Sequence, residues 1–227
     1  MNKKFSIAII ALLFSFIVYS QNHERDRIID VLNEYAINKQ LKYERPTTLG
    51  SPYLNKMFTS ATISNMREKA MLRYDVFSDE FEFVNSNRDT LVLNKIGKYK
   101  TITFTTTNTK YQLENYNSKG KSTTGYLIWL TEKNNFTLFK KQNIIYIREK
   151  LAKSGFDKNI PASLERVKDT YYLKENDKEI YEFPSNKKGL IKLFPDKKAE
   201  IEAFVKQTNI DFDKESDIIK LVEFLAG

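Results

Sequence analysis

The stretch Tyr126-Leu127-Ile128-Trp129-Leu130-Thr131, a polar break at Glu132 to Asn135, then Phe136-Thr137-Leu138-Phe139-Lys140 and Ile144-Ile145-Tyr146-Ile147 decides how this chain folds. Its short runs are rich in aromatic and β-branched side chains and are interrupted by Asn and Lys, the pattern of a hairpin or short meander. Tyr126, Ile128 and Leu130 point to one side of such a strand, while Leu127 and Trp129 point to the other. Both faces are apolar, which predicts a central strand covered on both sides.

Upstream, Ala70 to Val84 reads as a second hairpin. Met71, Arg73, Asp75 and Phe77 alternate with Leu72, Tyr74 and Val76, and Ser78-Asp79-Glu80 turns the chain before Phe81-Glu82-Phe83. Thr90 to Leu93 and Tyr99 to Thr106 read as strands, and Met57 to Ser64 as an edge strand. Tyr111 to Leu113 reads as a short strand and Asn115 to Thr124 as a polar loop. Asn22 to Asn38 carries apolar residues at three- and four-residue steps and predicts an amphipathic helix or leader. Arg45 to Leu54 holds two prolines and a glycine, which exclude regular helix.

Downstream, Lys150 to Leu164 reads as irregular. Arg166 to Lys174 and Glu179 to Phe183 read as one more hairpin. The pattern changes at Pro184. Ser185 caps a short helix ended by Pro195, Asp196 begins a second helix, and Asp213 begins a third with Ile218, Leu221, Val222 and Leu225 on one side. Such helices cannot bury their stripes alone, so they are expected to pack on the sheet. The predicted fold is α+β: a largely antiparallel, curved sheet with C-terminal helices packed on it. Residues 46–227 are expected to form a single domain, β-rich over 46–183 and helical over 184–227, preceded by a signal peptide (1–20) and an N-terminal helix or leader (21–45).

The signal peptide is read from the basic start Met1-Asn2-Lys3-Lys4, the apolar run Phe5 to Val18 and a small residue at Ser20, with cleavage expected before Gln21. The alternative, an uncleaved anchor, needs a run of roughly 20 apolar residues, and this one is shorter. The mature protein is therefore expected to be exported, periplasmic or extracellular, with no membrane span. The chain has no cysteine, so packing alone must hold it together.

Its formal charge of +8 falls to +6 without Lys3 and Lys4. From Asn186 onward eight lysines balance eight acids, so the excess lies upstream. Lys133, Lys140, Lys141, Arg148 and Lys150 make the densest basic stretch, a candidate patch for a polyanion or simply a solvated surface. Nucleic acid is not an expected partner of an exported chain.

The residues available for chemistry are few. The one histidine is His23, close to the expected mature N-terminus, and there is no thiol, no nucleophile elbow, no phosphate-binding glycine loop and no dinucleotide fingerprint. No catalytic, cofactor-binding or metal-ligating set is identified. Asp79, Glu80 and Glu82 could act as paired acids in a hydrolase of glycans or peptides, although hairpin tips are commonly acidic because solvent is there. Asp211, Asp213, Glu215 and Asp217 alternate as in a calcium loop, but Ser216 stands where the sharp turn needs glycine and Val222 where the bidentate Glu belongs. Arg73 beside acids on one strand reads as a cross-strand pair. Tyr126, Trp129 and Tyr172 are candidate lining for a ligand-binding face, with core packing as the competing use.

Two groups of residues carry a resemblance. They are Gly50-Ser51-Pro52-Tyr53-Leu54 with Leu72-Arg73-Tyr74-Asp75-Val76-Phe77-Ser78-Asp79-Glu80-Phe81-Glu82, and the ending Lys197 to Ile201, Phe204 to Gln207 and Asp217 to Phe224. In these the chain resembles a group of uncharacterised exported proteins of Bacteroidota. The resemblance implies a Gram-negative envelope and a cut near Ser20-Gln21, and it carries no site residues across. Together these readings point to a non-enzymatic binding or assembly protein that takes an envelope protein or an apolar small molecule on its sheet. The alternatives are a carboxylate-based hydrolase and a basic polyanion-binding protein.

Overall fold

The computed structural model describes Ile29, Leu32, Asn33 and residues 36–38, 48–152 and 158–227. The expected signal peptide and His23 lie outside the described residues. The fold is α+β, with a mostly antiparallel sheet. The chain divides into two compact units. Of the described residues, the first holds those from Ile29 to Asn38 and 53–108, and the second holds 48–52 and those from Thr109 to Gly227.

In the first unit the strands β1 (Ala36–Asn38), β3 (Thr59–Ile63), β4 (Ala70–Asp75), β5 (Glu80–Val84), β6 (Thr90–Leu93) and β7 (Thr101–Phe104) lie in the order β1-β6-β5-β4-β3-β7. Two expectations are corrected here. The helix over Asn22 to Asn38 is helical at Ile29, Leu32 and Asn33, but Ala36–Asn38 is a strand antiparallel to Leu91–Leu93. Sheet pairing overrides helical periodicity there. The strand expected at an edge, β3, sits between β4 and β7. The β4–β5 hairpin forms as read, with Tyr74 directly opposite Phe81 and their ring centroids 4.8 Å apart. Asp79 turns it with φ 60, and the Asp75 carboxylate accepts the Ser78 N–H at 2.8 Å, a local bond that fixes the turn.

In the second unit β8 (Thr109–Ser118), β9 (Lys121–Lys133), β10 (Phe136–Ile147), β11 (Ser163–Glu175) and β12 (Tyr181–Glu182) follow one another in sheet order. The expected polar loop at Asn115 to Thr124 is instead the end of a long hairpin, paired from Asn115↔Thr124 to Ser118↔Lys121. Lys119 (φ 51) and Gly120 (φ 77) make its two-residue turn, both left-handed, which suits the twist of a hairpin. Tyr116 bridges Ile180 in parallel and the Asn117 N–H donates to the Ile180 carbonyl at 2.8 Å, so β8 meets the chain where it enters β12.

The predicted two-sided cover of β9 holds, because Tyr126, Leu127 and Ile128 are all buried. On one face Leu127, Phe139 and Tyr172 pack with Tyr116 and Ile180. On the other, Leu138 and Leu173 pack beneath three helices: α1 (Lys187–Leu193), α2 (Lys198–Gln207) and α3 (Glu215–Leu225). Their stripes supply Leu190, Ile201, Ile218, Leu221, Val222 and Leu225, as the spacing predicts. Asn186, one residue beyond the expected cap, takes the Gly189 N–H at 2.8 Å.

A two-residue strand, β2 (Leu49–Gly50), runs parallel to β11, pairing Leu49 with Ser163 and Gly50 with Leu164. Gly50 is required twice over. Its φ is +85, and a Cβ there would stand 2.2 Å from the Leu164 carbonyl oxygen.

Candidate functional site

Of the acidic candidates, Glu80 is half-buried, and Asp79 and Glu82 are held by identified partners. Register sets Arg73 of β4 directly opposite Glu82 of β5. The Arg73 guanidinium donates to Glu82 Oε2 from Nη2 at 2.6 Å and from Nε at 3.2 Å. Tyr53 Oη donates to the same carboxylate at 3.1 Å. The guanidinium also caps the Lys56 carbonyl and lies over the Tyr53 and Phe58 rings, 3.9 and 4.4 Å from their centroids. Glu82 and Asp75 are 0% exposed.

Glu82 is therefore not at a solvated hairpin tip, as the sequence suggested. Asp79 is bound through both oxygens, by the Tyr74 hydroxyl at 2.5 Å and by Lys95 at 2.7 Å. Carboxylates engaged on both oxygens, one of them sealed from solvent, hold a hairpin together. They are poorly placed to exchange protons with a substrate. The sequence identified the Arg73 pairing. It missed Tyr53, whose role as a third partner depends on the irregular segment that precedes β3.

The aromatic candidates in the second unit are interior. Tyr126 and Tyr172 are buried, and Tyr172 meets Tyr116 edge-on at 4.7 Å while its hydroxyl donates to Ser118 Oγ at 3.2 Å. Burial raises the Tyr172 pKa, partly offset by that hydrogen bond. Trp129 is half-buried, and the Lys110 ammonium sits over its ring, 2.8 Å from the centroid. Burial lowers the Lys110 pKa, with Glu132 acting in the opposite direction. The three side chains do not form one exposed face.

The basic candidates divide. Lys133 donates to the Glu223 carbonyl at 2.9 Å, Lys140 pairs with Glu215 at 2.5 Å, and Lys141 donates to the Tyr126 carbonyl at 3.0 Å. These three lysines tie β9 and β10 to α3 and to each other. Arg148 and Lys150 are exposed at the far end of β10, without an ion pair among the described residues.

That end of the second unit carries a feature the sequence reading missed. Leu49, Ser163 and Ile147 lie opposite one another across β2, β11 and β10, and so share one face of the sheet, with Ile145 two residues along from Ile147. Leu49 is 58% exposed, Ile145 44% and Ile147 37%, whereas Ile144 and Leu164 on the opposite face are buried. The β10–β11 register continues to a bridge between Lys150 and Ile160, and Leu151 and Ile160 are exposed there too. The rim carries both signs of charge: Arg148, Glu149, Lys150, Lys158 and Glu165 are all exposed.

Elsewhere in this unit, an open cleft of about 410 Å³ is lined by Tyr181, Leu193, Phe194 and Pro195, with Glu175, Lys178, Asp196 and Lys197 at its rim. Its lysines are engaged, Lys178 with Glu175 at 3.1 Å and Lys197 with the Leu225 carbonyl at 2.8 Å.

Among the described residues no three His, Asp or Glu side chains gather to hold a metal ion, and no helix is long and apolar enough to cross a membrane. No family model, no curated protein and no solved structure matches the chain.

Proposed function

We propose that this is an exported cell-envelope protein that acts by binding rather than by catalysis, docking a protein partner on the aliphatic face at the far end of β10, β11 and β2. The observation that carries this reading is the exposed row Leu49, Ile147 and Ile145 on a sheet whose opposite face, at Ile144 and Leu164, is buried. An aliphatic centre within a rim of both charge signs has the anatomy of a protein interface. A polyanion or an anionic lipid surface would call for an excess of cations, and three of the five candidate cations are spent inside the unit. The envelope location rests on the basic, apolar and small-residue start of the chain.

The test is gentle isolation of the mature protein and of Leu49→Lys from their own envelope, with mass spectrometry of everything that accompanies each. A stoichiometric protein companion is expected with the native chain and is lost with Leu49→Lys. A lipid or small molecule bound one-to-one, and indifferent to Leu49→Lys, would make the protein a carrier and overturn this reading.

A further inference from the structure

β9 divides its pairing: Lys121 to Ile128 lie against β8, and Ile128 to Lys133 against β10. β10 therefore has strands on both sides only over Phe136 to Lys140. From Asn143 to Ile147 it has β11 on one side and, among the described residues, no strand on the other. An open strand edge presents unpaired backbone N–H and C=O groups, and proteins blunt such edges with charge, proline, bulges or cover. The sequence Gln142-Asn143-Ile144-Ile145-Tyr146-Ile147 contains no charge, no proline and no glycine, and four of its six residues are β-branched or aromatic. A six-residue run of this composition is of the kind that pairs with copies of itself.

We infer that this edge pairs antiparallel with the same edge of a second copy of the chain, about a two-fold axis at Tyr146. That register places Ile145 opposite the second copy's Ile147, and the reverse, with Ile144 opposite Arg148 and Asn143 opposite Glu149. No like charges oppose. Moving the axis to Ile147 sets Ile145 against the Glu149 carboxylate, and moving it to Arg148 sets that cation against itself. A two-fold axis perpendicular to the sheet keeps the same face uppermost in both copies. Leu49, Ile145 and Ile147 of the pair then form one continuous aliphatic face, twice the width of either alone. The inference deepens the docking reading, since it doubles the proposed surface, but it stands or falls on a separate measurement.

The test uses the mature chain over a concentration series in sedimentation analysis. The expected mass is twice that of the protomer. Ile145→Lys with Ile147→Lys halves it while leaving the far-ultraviolet circular dichroism unchanged. Because the chain has no cysteine, Tyr146→Cys supplies the only thiol, and mild oxidation is expected to trap it as a disulfide-linked pair. Lys119→Cys, at an exposed turn in β8–β9, stays single. A protomer mass throughout, a dimer indifferent to the two lysines, or a dimer that Tyr146→Cys fails to trap would each overturn the pairing. Leu49 lies on β2, off the paired edge. Leu49→Lys that loses its companion but remains a dimer separates the two proposals, as does a monomer that still binds its companion.

Discussion

The β4–β5 hairpin of the first unit and the far end of β10–β11 in the second both reverse the usual placement of side chains, in opposite senses. The first buries charge: the Glu82 carboxylate is fully enclosed, with Arg73 and Asp79 half-buried around it, on a sheet whose neighbours are Phe81, Phe83 and Leu72. The second exposes aliphatic residues: Leu49, Ile145 and Ile147 face outward while Ile144 and Leu164 are covered. The buried charges are answered in place, by each other and by Tyr53, Tyr74 and Lys95. The exposed aliphatic side chains have no such answer within their unit. A reversal that is locally satisfied is architecture, and one that is not is where a partner belongs.

The largest effect expected on this contrast comes from opening the satisfied side. Arg73→Met leaves Glu82 buried without its cation and is expected to cost about 3–5 kcal/mol in urea unfolding. Adding Glu82→Leu should recover much of that loss, because an apolar pair needs no counter-charge. If Arg73→Met costs no more than a surface substitution, the cluster is not the closed system described and the contrast breaks.

Gly50→Ala is the next largest. Its Cβ would collide with the Leu164 carbonyl at a positive φ, so β2 should detach, costing about 1–3 kcal/mol and speeding hydrogen exchange at Leu49, whose N–H donates to the Ala162 carbonyl at 2.8 Å. Asn186→Ala removes the α1 cap and is expected to cost about 1 kcal/mol, read as a lowered unfolding midpoint.

Alkaline titration sharpens the account of the helix-covered side. Burial, then Glu215 and Asp169, push the Tyr171 hydroxyl from 10.0 up to about 12, and burial with Glu175 does the same for Tyr181. The folded state thus keeps these protons at a pH where the unfolded chain has released them. Their contribution is complete below about pH 10 and is lost as pH rises toward 12. Tyr171→Phe with Tyr181→Phe should flatten the fall in stability over that window. An unchanged alkaline profile would show that neither hydroxyl is held protonated by the fold. The smallest effect is expected from the open side: Leu49→Lys should change stability by no more than about 0.5 kcal/mol while abolishing partner capture.

Periodicity made much of this fold legible. The alternation around Tyr74 and Phe81, the two-sided apolar run at Tyr126 to Leu130 and the helical stripe at Ile218 to Leu225 each bury what their spacing said they would. Residues 115–118 and 121–124 were read as loop because their side chains are largely polar. Backbone pairing around Lys119-Gly120 needs no apolar pattern to form. β2 was hidden for a different reason: two residues have no period, and only the close approach of Gly50 to Leu164 marks it. At the candidate site, Ile145 and Ile147 look like core in any sequence reading. Exposure is decided by where neighbouring strands stop, and β9 leaves β10 after Lys140.

The pairing of Leu49 with Ser163 also has a consequence in time. Its two ends lie more than a hundred residues apart in the chain, with residues 53–108 of the first unit between them. A chain that emerges N-terminus first carries Leu49 and Gly50 long before the strand they join exists, and closing so long a loop comes late in any folding order. Throughout that interval the residues of the proposed docking row that come from β2 and those that come from β10 remain apart. The proposed docking face is therefore assembled only once β11 has been made, and a chain that stops short of Ser163 does not present it.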